Sequence, residues 1–335
     1  MKILFNGLMI LATALTLAGC AAPQMSAPAV SILVDLDPAS AERTVIIENI
    51  TADPRGLLFT SDRVTGNILR IDPKSPKAVV VGKIESRTVD GRKVDPSPGG
   101  IAFDAKGDLY LAAGPFSEVV RIKAADLDAA KPGLAQTFAT GVPGANGIAF
   151  DKNGVLYVSG GASGIVYSVG PNGGGAQAAA QIERNVRTLP NSTATQAIVA
   201  NGLKFDTAGV LHVADTSRGA VWKVLIGADG KGAKPVLLAQ SPLLEGADDI
   251  AVDRNGDIWV AANELNAIVA VSPAGMVRNI AKNGSQGPLE FPAALVFVGS
   301  TAYVANFDVP RRDNFDASGM TAKDGVGASI AQITR

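Results

Sequence analysis

Four side chains of the kind that a hard divalent cation takes as ligands, those of Glu48, Asn146, Asn201 and Asp248, each stand five places before an aspartate of a repeated sequence pattern. Gly99 shares that place, and Ala293 holds it in a degenerate sixth copy. If the copies converge on one spot, two carboxylates and two amides meet there. Burying them without compensation is costly, whereas a doubly charged ion balances both negative charges. Calcium suits such oxygen ligands best. Magnesium demands tighter octahedral geometry, and zinc normally takes His or Cys.

Taken singly, each residue also has an ordinary role. Asn146 and Asn201 precede glycine, and Asn-Gly is a common turn dipeptide. Asp248 with Asp249 suits a solvated loop, and Glu48 an exposed strand position. Their coincidence in one column favours the cation site. The chain has one histidine, His212, and one cysteine, Cys20. That excludes a disulfide framework within the chain and leaves too few ligands for a Cys/His zinc site. His212 sits in a column otherwise held by Phe59, Tyr110, Tyr157 and Trp259, so a packed ring is expected there and not a catalytic base. No G-x-S-x-G elbow is present.

The elements that position the column follow from the repeat itself. Four copies are plain: GGIAFDAKGDLYLA (99–112), NGIAFDKNGVLYVS (146–159), NGLKFDTAGVLHVA (201–214) and DDIAVDRNGDIWVA (248–261). A weaker first copy is ENITADPRGLLFTS (48–61), and the sixth is AALVFVGSTAYVA (293–305). The aspartates at 53, 104, 151, 206 and 253 are 51, 47, 55 and 47 residues apart, a period that suits one four-stranded propeller blade. Each copy reads as strand, D-x-x-G turn, strand, with the aspartate bonding the backbone ahead of it. Third strands are expected at NILRID (67–72), EVVRIK (118–123), GIVYSV (164–169), AVWKVL (220–225) and AIVAVS (267–272). The fold class expected is all-β, a six-bladed β-propeller with four-stranded antiparallel blades. Pairing of 43–47 or 329–334 with the last blade would close the ring.

The chain is 335 residues long and 47% hydrophobic, with 30 Lys+Arg against 31 Asp+Glu. A long apolar chain with a net charge of only -1 excludes disorder, and it offers no broad positive field for nucleic acid. Residues 1–19 read as an export signal, with Lys2 ahead of an apolar stretch and small residues before Cys20. The run Leu17-Ala18-Gly19-Cys20 resembles the lipobox of bacterial lipoproteins, which implies lipidation of Cys20. By that resemblance Ala21, standing where an aspartate would retain the protein in the inner membrane, favours a cell-envelope location on the outer membrane facing the periplasm. Residues 20–31 are expected to be the lipidated cysteine and a flexible tether, and 32–335 a single propeller domain.

NGLKFDTAGVLHVADTSRGAVWKV (201–224), ADDIAVDRNGDIWVAANE (247–264) and the blade spacing resemble the senescence-marker-protein/gluconolactonase group of six-bladed propellers, and distantly the diisopropyl-fluorophosphatases. The resemblance implies a divalent ion held by Glu48, Asn201 and Asp248, with Asn146 binding substrate or metal. It also implies metal-assisted hydrolysis of a lactone or related ester, in which Asp248 activates the attacking water. Two departures stand out: 48–52 reads ENITA where the group has E-G-P-x-W, and Asp249 replaces the glycine of D-G-M. Phosphotriester hydrolysis at the same site is a second chemistry. A lipid-anchored binding propeller with a structural calcium ion is the alternative from another class.

Partners expected are a small-molecule substrate and a membrane reached through Cys20, with no nucleic acid, and the chain is expected to be a monomer. Asp62 and Asp215 are candidates for supporting the site from further out, with capping or ion-paired roles as the alternative. Segments 187–200 and 307–327, the latter with Arg311 and Arg312, are long enough to cover a channel mouth or to form a binding surface.

Overall fold

The computed structural model describes residues 28–38, 44–184, 187–188, 195–196, 198–308, 314–317 and 322–334. The signal and lipidation readings for 1–19 and Cys20, half of the 187–200 segment (189–194 and 197), and Arg311 and Arg312 lie outside them. Among the described residues no helix is long and apolar enough to cross a membrane.

Six antiparallel sheets follow one another along the chain, each with four main strands, and form a six-bladed β-propeller. Blades 1 to 5 have their innermost strands at Thr51–Ala52, Ile101–Phe103, Ile148–Phe150, Leu203–Phe205 and Ala247–Val252. Second strands follow at Leu58–Ser61, Leu109–Ala113, Leu156–Ser159, Val210–Asp215 and Ile258–Ala262. The third strands lie where the sequence places them.

Blade 6 comprises Pro292–Val298, Thr301–Asn306, Ser329–Thr334 and, at its outer edge, Ala29–Asp35. Ser329–Thr334 pairs with Thr301–Asn306 of this last blade, as one of the two expected closures has it, and a further strand is added outside it. Ala29–Asp35 pairs antiparallel with Ser329–Thr334, from Ala29 opposite Thr334 to Asp35 opposite Ser329. Of the described residues 44–47, only Ile47 forms a bridge, to Asp62. The tether expected to reach residue 31 thus gives way to a strand at Ala29. Its apolar residues Val30, Ile32, Leu33 and Val34 pack into the clusters on either side of the blade, and a strand joined to the chain's last one closes the circle.

Each D-x-x-G turn is built alike. Asp104 Oδ1 accepts the N–H groups of Lys106 and Asp108 at 2.8 and 2.9 Å, and Gly107 takes φ +83°. Adjacent blades are joined by edge-to-face rings, second strand against the next blade's inner strand. The pairs are Phe59–Phe103 at 4.9 Å, Tyr110–Phe150 at 4.9 Å, Tyr157–Phe205 at 5.2 Å and Trp259–Phe297 at 5.0 Å.

Candidate metal centre on the propeller axis

Register shows that the column is one structural position. Thr51, Ala102, Ala149, Lys204, Ala251 and Val296 lie opposite Phe59, Tyr110, Tyr157, His212, Trp259 and Tyr303. Three residues before each stands Glu48, Gly99, Asn146, Asn201, Asp248 and Ala293. Glu48, Asn146, Asn201 and Asp248 line one void of about 10 Å³, the space of a single water or ion. Gly100, Gly147, Gly202 and Asp249 complete its wall.

The glycines have a reason other than turning. Gly147 and Gly202 do not have positive φ, so Asn-Gly makes no turn here. The inner strands converge so closely that Gly100 N–H donates to Asn146 O at 2.6 Å and Gly202 N–H to Asp248 O at 3.1 Å. A Cβ on Gly147 would fall 2.5 Å from Asn201 O. In blade 5 the corresponding residue is Asp249, and the register slips between Ala247 and Ile250. That bulge makes room for two consecutive aspartates at the axis.

Asp248 is buried, and its Oδ2 accepts from Asn263 Nδ2 at 2.9 Å. Burial first, and then the charge of Asp249, push its carboxyl up to about 8 against the opposing pull of Asn263, Asn201 and Arg63. Asp249 is itself pushed up to about 6 by burial. Asn201 Nδ2 donates to Thr216 Oγ1 at 2.9 Å, and Thr216 passes its own hydrogen to Ala247 O at 2.7 Å. Asn146 is half-buried, and its amide has no hydrogen-bond partner among the described residues.

Glu48 is held by a residue that the sequence reading passed over. The Arg63 guanidinium pairs with Glu48 Oε2, donates to Ser97 Oγ at 2.6 Å and lies 5.4 Å from the Phe307 ring. Burial lowers Arg63 to about 10, and Asp248 partly opposes that shift. Arg63, Thr216, Asn263 and Phe307 all stand four residues after the second-strand aromatic, Phe59, His212, Trp259 and Tyr303 respectively. A second column of the repeat, which the fold aligns, therefore supplies the axis with part of its outer layer.

The donor chemistry fits a hard cation: all oxygen, two carboxylates and two amides around a void of ionic size. Among the described residues no three His, Cys, Asp or Glu side chains form a metal-holding group by themselves, so the amides are needed to complete the shell. For Glu48 to serve, it must exchange Arg63 for the ion.

Other candidate residues have structural roles. Asp62 accepts from the backbone of Ile46 and Val64 and from Thr65, which fixes the loop after the second strand. Asp215 accepts from Ser217 Oγ at 2.7 Å and Trp222 Nε1 at 3.1 Å, beside Arg218. His212 packs as expected, its Nε2 3.0 Å from Asp206 Oδ2. Of the two long segments, Arg187–Thr188 pairs with Thr195–Gln196 as a short hairpin. Buried Asn314, in the other, exchanges hydrogen bonds with Asn266 of blade 5.

Comparison with known proteins finds likenesses in the fold and in part of the sequence. No curated protein matches the chain. A gluconolactonase from Xanthomonas campestris superposes with a TM-score of 0.63 at 15% identity, covering 92% of this chain and 89% of that one. A luciferin-regenerating enzyme gives 0.62 at 14%, covering 92% and 95%. Virginiamycin B lyase from Staphylococcus aureus gives 0.57 at 10%, covering 92% and 99%. At such identities these likenesses show the fold. Residues 144–305, which carry Asn146, Asn201 and Asp248, match the family model for the SMP-30/Gluconolactonase/LRE-like region, so the chain is a six-bladed propeller with an SMP-30/gluconolactonase-like region across blades 3 to 6.

Proposed function

We propose that the chain is a divalent-cation-dependent hydrolase of a lactone or related ester, acting at the propeller axis. The observation that carries this reading is the convergence of Glu48, Asn146, Asn201 and Asp248 on one ion-sized void. A calcium ion there would supply a Lewis acid for the substrate's carbonyl oxygen. Asp248 would take the proton of the attacking water. Without the ion, burial raises its carboxyl to about 8, and a dication beside it would favour the ionised form that accepts the proton. Asn263 fixes Asp248 for that step, and Thr216 fixes Asn201. Asn146, with a free amide, would orient the substrate. Attachment to the outer membrane through a lipidated Cys20 is part of the same proposal and rests on the lipobox-like run.

The size of the void supports a second reading. Small-molecule sites span roughly 300–1,000 Å³, whereas the void at the column is about 10 Å³. It can house an ion but no substrate, which suits a binding propeller whose calcium is structural. A panel of lactones and phosphotriesters, assayed with calcium, separates the two readings. Lactone hydrolysis that Asp248→Asn abolishes without loss of folding supports the enzyme. Calcium binding without hydrolysis of any member supports the structural ion, and hydrolysis unaffected by Asp248→Asn removes this residue from the base role.

A further inference from the structure

Blade 1 departs from the repeat at two adjoining columns on the face opposite the axial site, where the D-x-x-G turns lie. In blades 2, 4 and 5 the second-strand ring reaches the turn aspartate with a polar tip. Tyr110 Oη donates to Asp104 Oδ2 at 3.2 Å, His212 Nε2 lies 3.0 Å from Asp206 Oδ2, and Trp259 Nε1 donates to Asp253 Oδ2 at 3.3 Å. Blade 1 has Phe59 there, and Asp53 Oδ2 takes the guanidinium of Arg55 instead, at 2.8 and 2.6 Å.

The second departure concerns the residue facing that ring on the third strand. In blade 2 it is Arg121, opposite Tyr110, and its guanidinium lies 3.8 Å from the carboxylate of Asp108. In blade 1 it is Arg70, opposite Phe59, and Leu57 stands where blade 2 has Asp108. Arg70 is half-buried and has no hydrogen-bond or ion-pair partner among the described residues.

Both departures border one cavity of about 760 Å³ between blades 6, 1 and 2, of a size that takes small molecules. Phe59, Phe103, Leu127, Phe297 and Val298 give it apolar walls, and Arg70 stands among them. The other charges on its rim are committed. Asp53 holds Arg55 and two turn N–H groups, and Asp104 holds two turn N–H groups and Tyr110. The guanidinium of Arg70 is thus the cavity's uncompensated charge, and a partly desolvated cation is stabilised by an anion that accepts its hydrogen bonds.

We propose that this cavity binds a small amphipathic carboxylate, its apolar body against Phe59, Phe103 and Phe297 and its carboxylate on Arg70. The site is separate from the axial one, since the two lie at opposite ends of the inner strands, and it stands whether or not the axial site is catalytic.

Isothermal titration of the full chain with decanoate and with phenylbutyrate tests the proposal. The expected result is saturable binding of at least one probe. Arg70→Met, which keeps the apolar stem, should weaken that binding about tenfold or more. Leu57→Asp should weaken it similarly, because it rebuilds in blade 1 the Arg–Asp pair that blade 2 already folds with. Failure of both probes to bind saturably at millimolar concentration overturns the proposal, as does wild-type affinity in either variant.

Discussion

The guanidinium of Arg63 pairs with the carboxylate of Glu48 at the mouth of the axial void, so the chain's own cation engages one of the ligands a divalent ion would need. The two compete for one carboxylate, and Arg63 also places a positive charge near Asp248.

Replacing Arg63 by Met should therefore raise calcium affinity, on the order of tenfold, because it frees Glu48 and removes a like charge from the ion's surroundings. Isothermal titration measures it. A fall in affinity would show that Arg63 organises Glu48 for the ion and does not compete with it.

Convergence of the inner strands sets a second expectation. Gly147→Ala places a Cβ 2.5 Å from Asn201 O and 2.9 Å from Gly202 Cα. Strands of two blades must shift, at a cost of about 1–3 kcal/mol, and calcium affinity should fall with the displacement of Asn201. At Gly175 a Cβ meets nothing within 4 Å and φ is ordinary, so Gly175→Ala should leave the melting temperature nearly unchanged. Thermal unfolding of both variants checks the contrast, and equal melting temperatures would contradict it.

The repeat made the column legible in the sequence, because residues at one register position in every blade must meet at the axis. Turn aspartates, third strands and the packed His212 were legible for the same reason. Three features were not. The reason for glycine after Asn146 and Asn201 is a close approach between blades far apart in sequence, which local turn statistics misread. Closure by Ala29–Asp35 pairs the two ends of the chain, and no local pattern distinguishes that strand from an Ala- and Ser-containing tether. Arg63 sits in a repeat column too, but its counterparts Gly114, Gly161, Thr216, Asn263 and Phe307 share no chemistry, so the column shows only once the fold aligns it.

Blade 6 supplies a pH dependence. Glu290 is buried, neither of its carboxyl oxygens has a hydrogen-bond donor among the described residues, and burial, with the charges of Asp324 and Asp308, raises its pKa far above the ordinary 4.5. The folded chain then keeps a proton that the unfolded chain releases above that value. Stability from this group is full in acid and declines as pH rises, by at most about 1.4 kcal/mol per pH unit. Glu290→Gln, which keeps a neutral side chain at every pH, should unfold later than the parent by a margin that grows from pH 5 to pH 9. Parallel melting curves across that range would show that Glu290 ionises normally.

Thermal unfolding under calcium titration, after chelator treatment, tests the axial site most directly. A ligand of the folded state stabilises it by about 2.7 kcal/mol at a hundredfold excess over Kd, so the midpoint should rise saturably in the parent chain. Asn201→Ala and Asp248→Asn should each remove most of that rise. A midpoint indifferent to calcium, magnesium and manganese, or one that rises equally in both variants, would contradict a cation site built by Glu48, Asn146, Asn201 and Asp248.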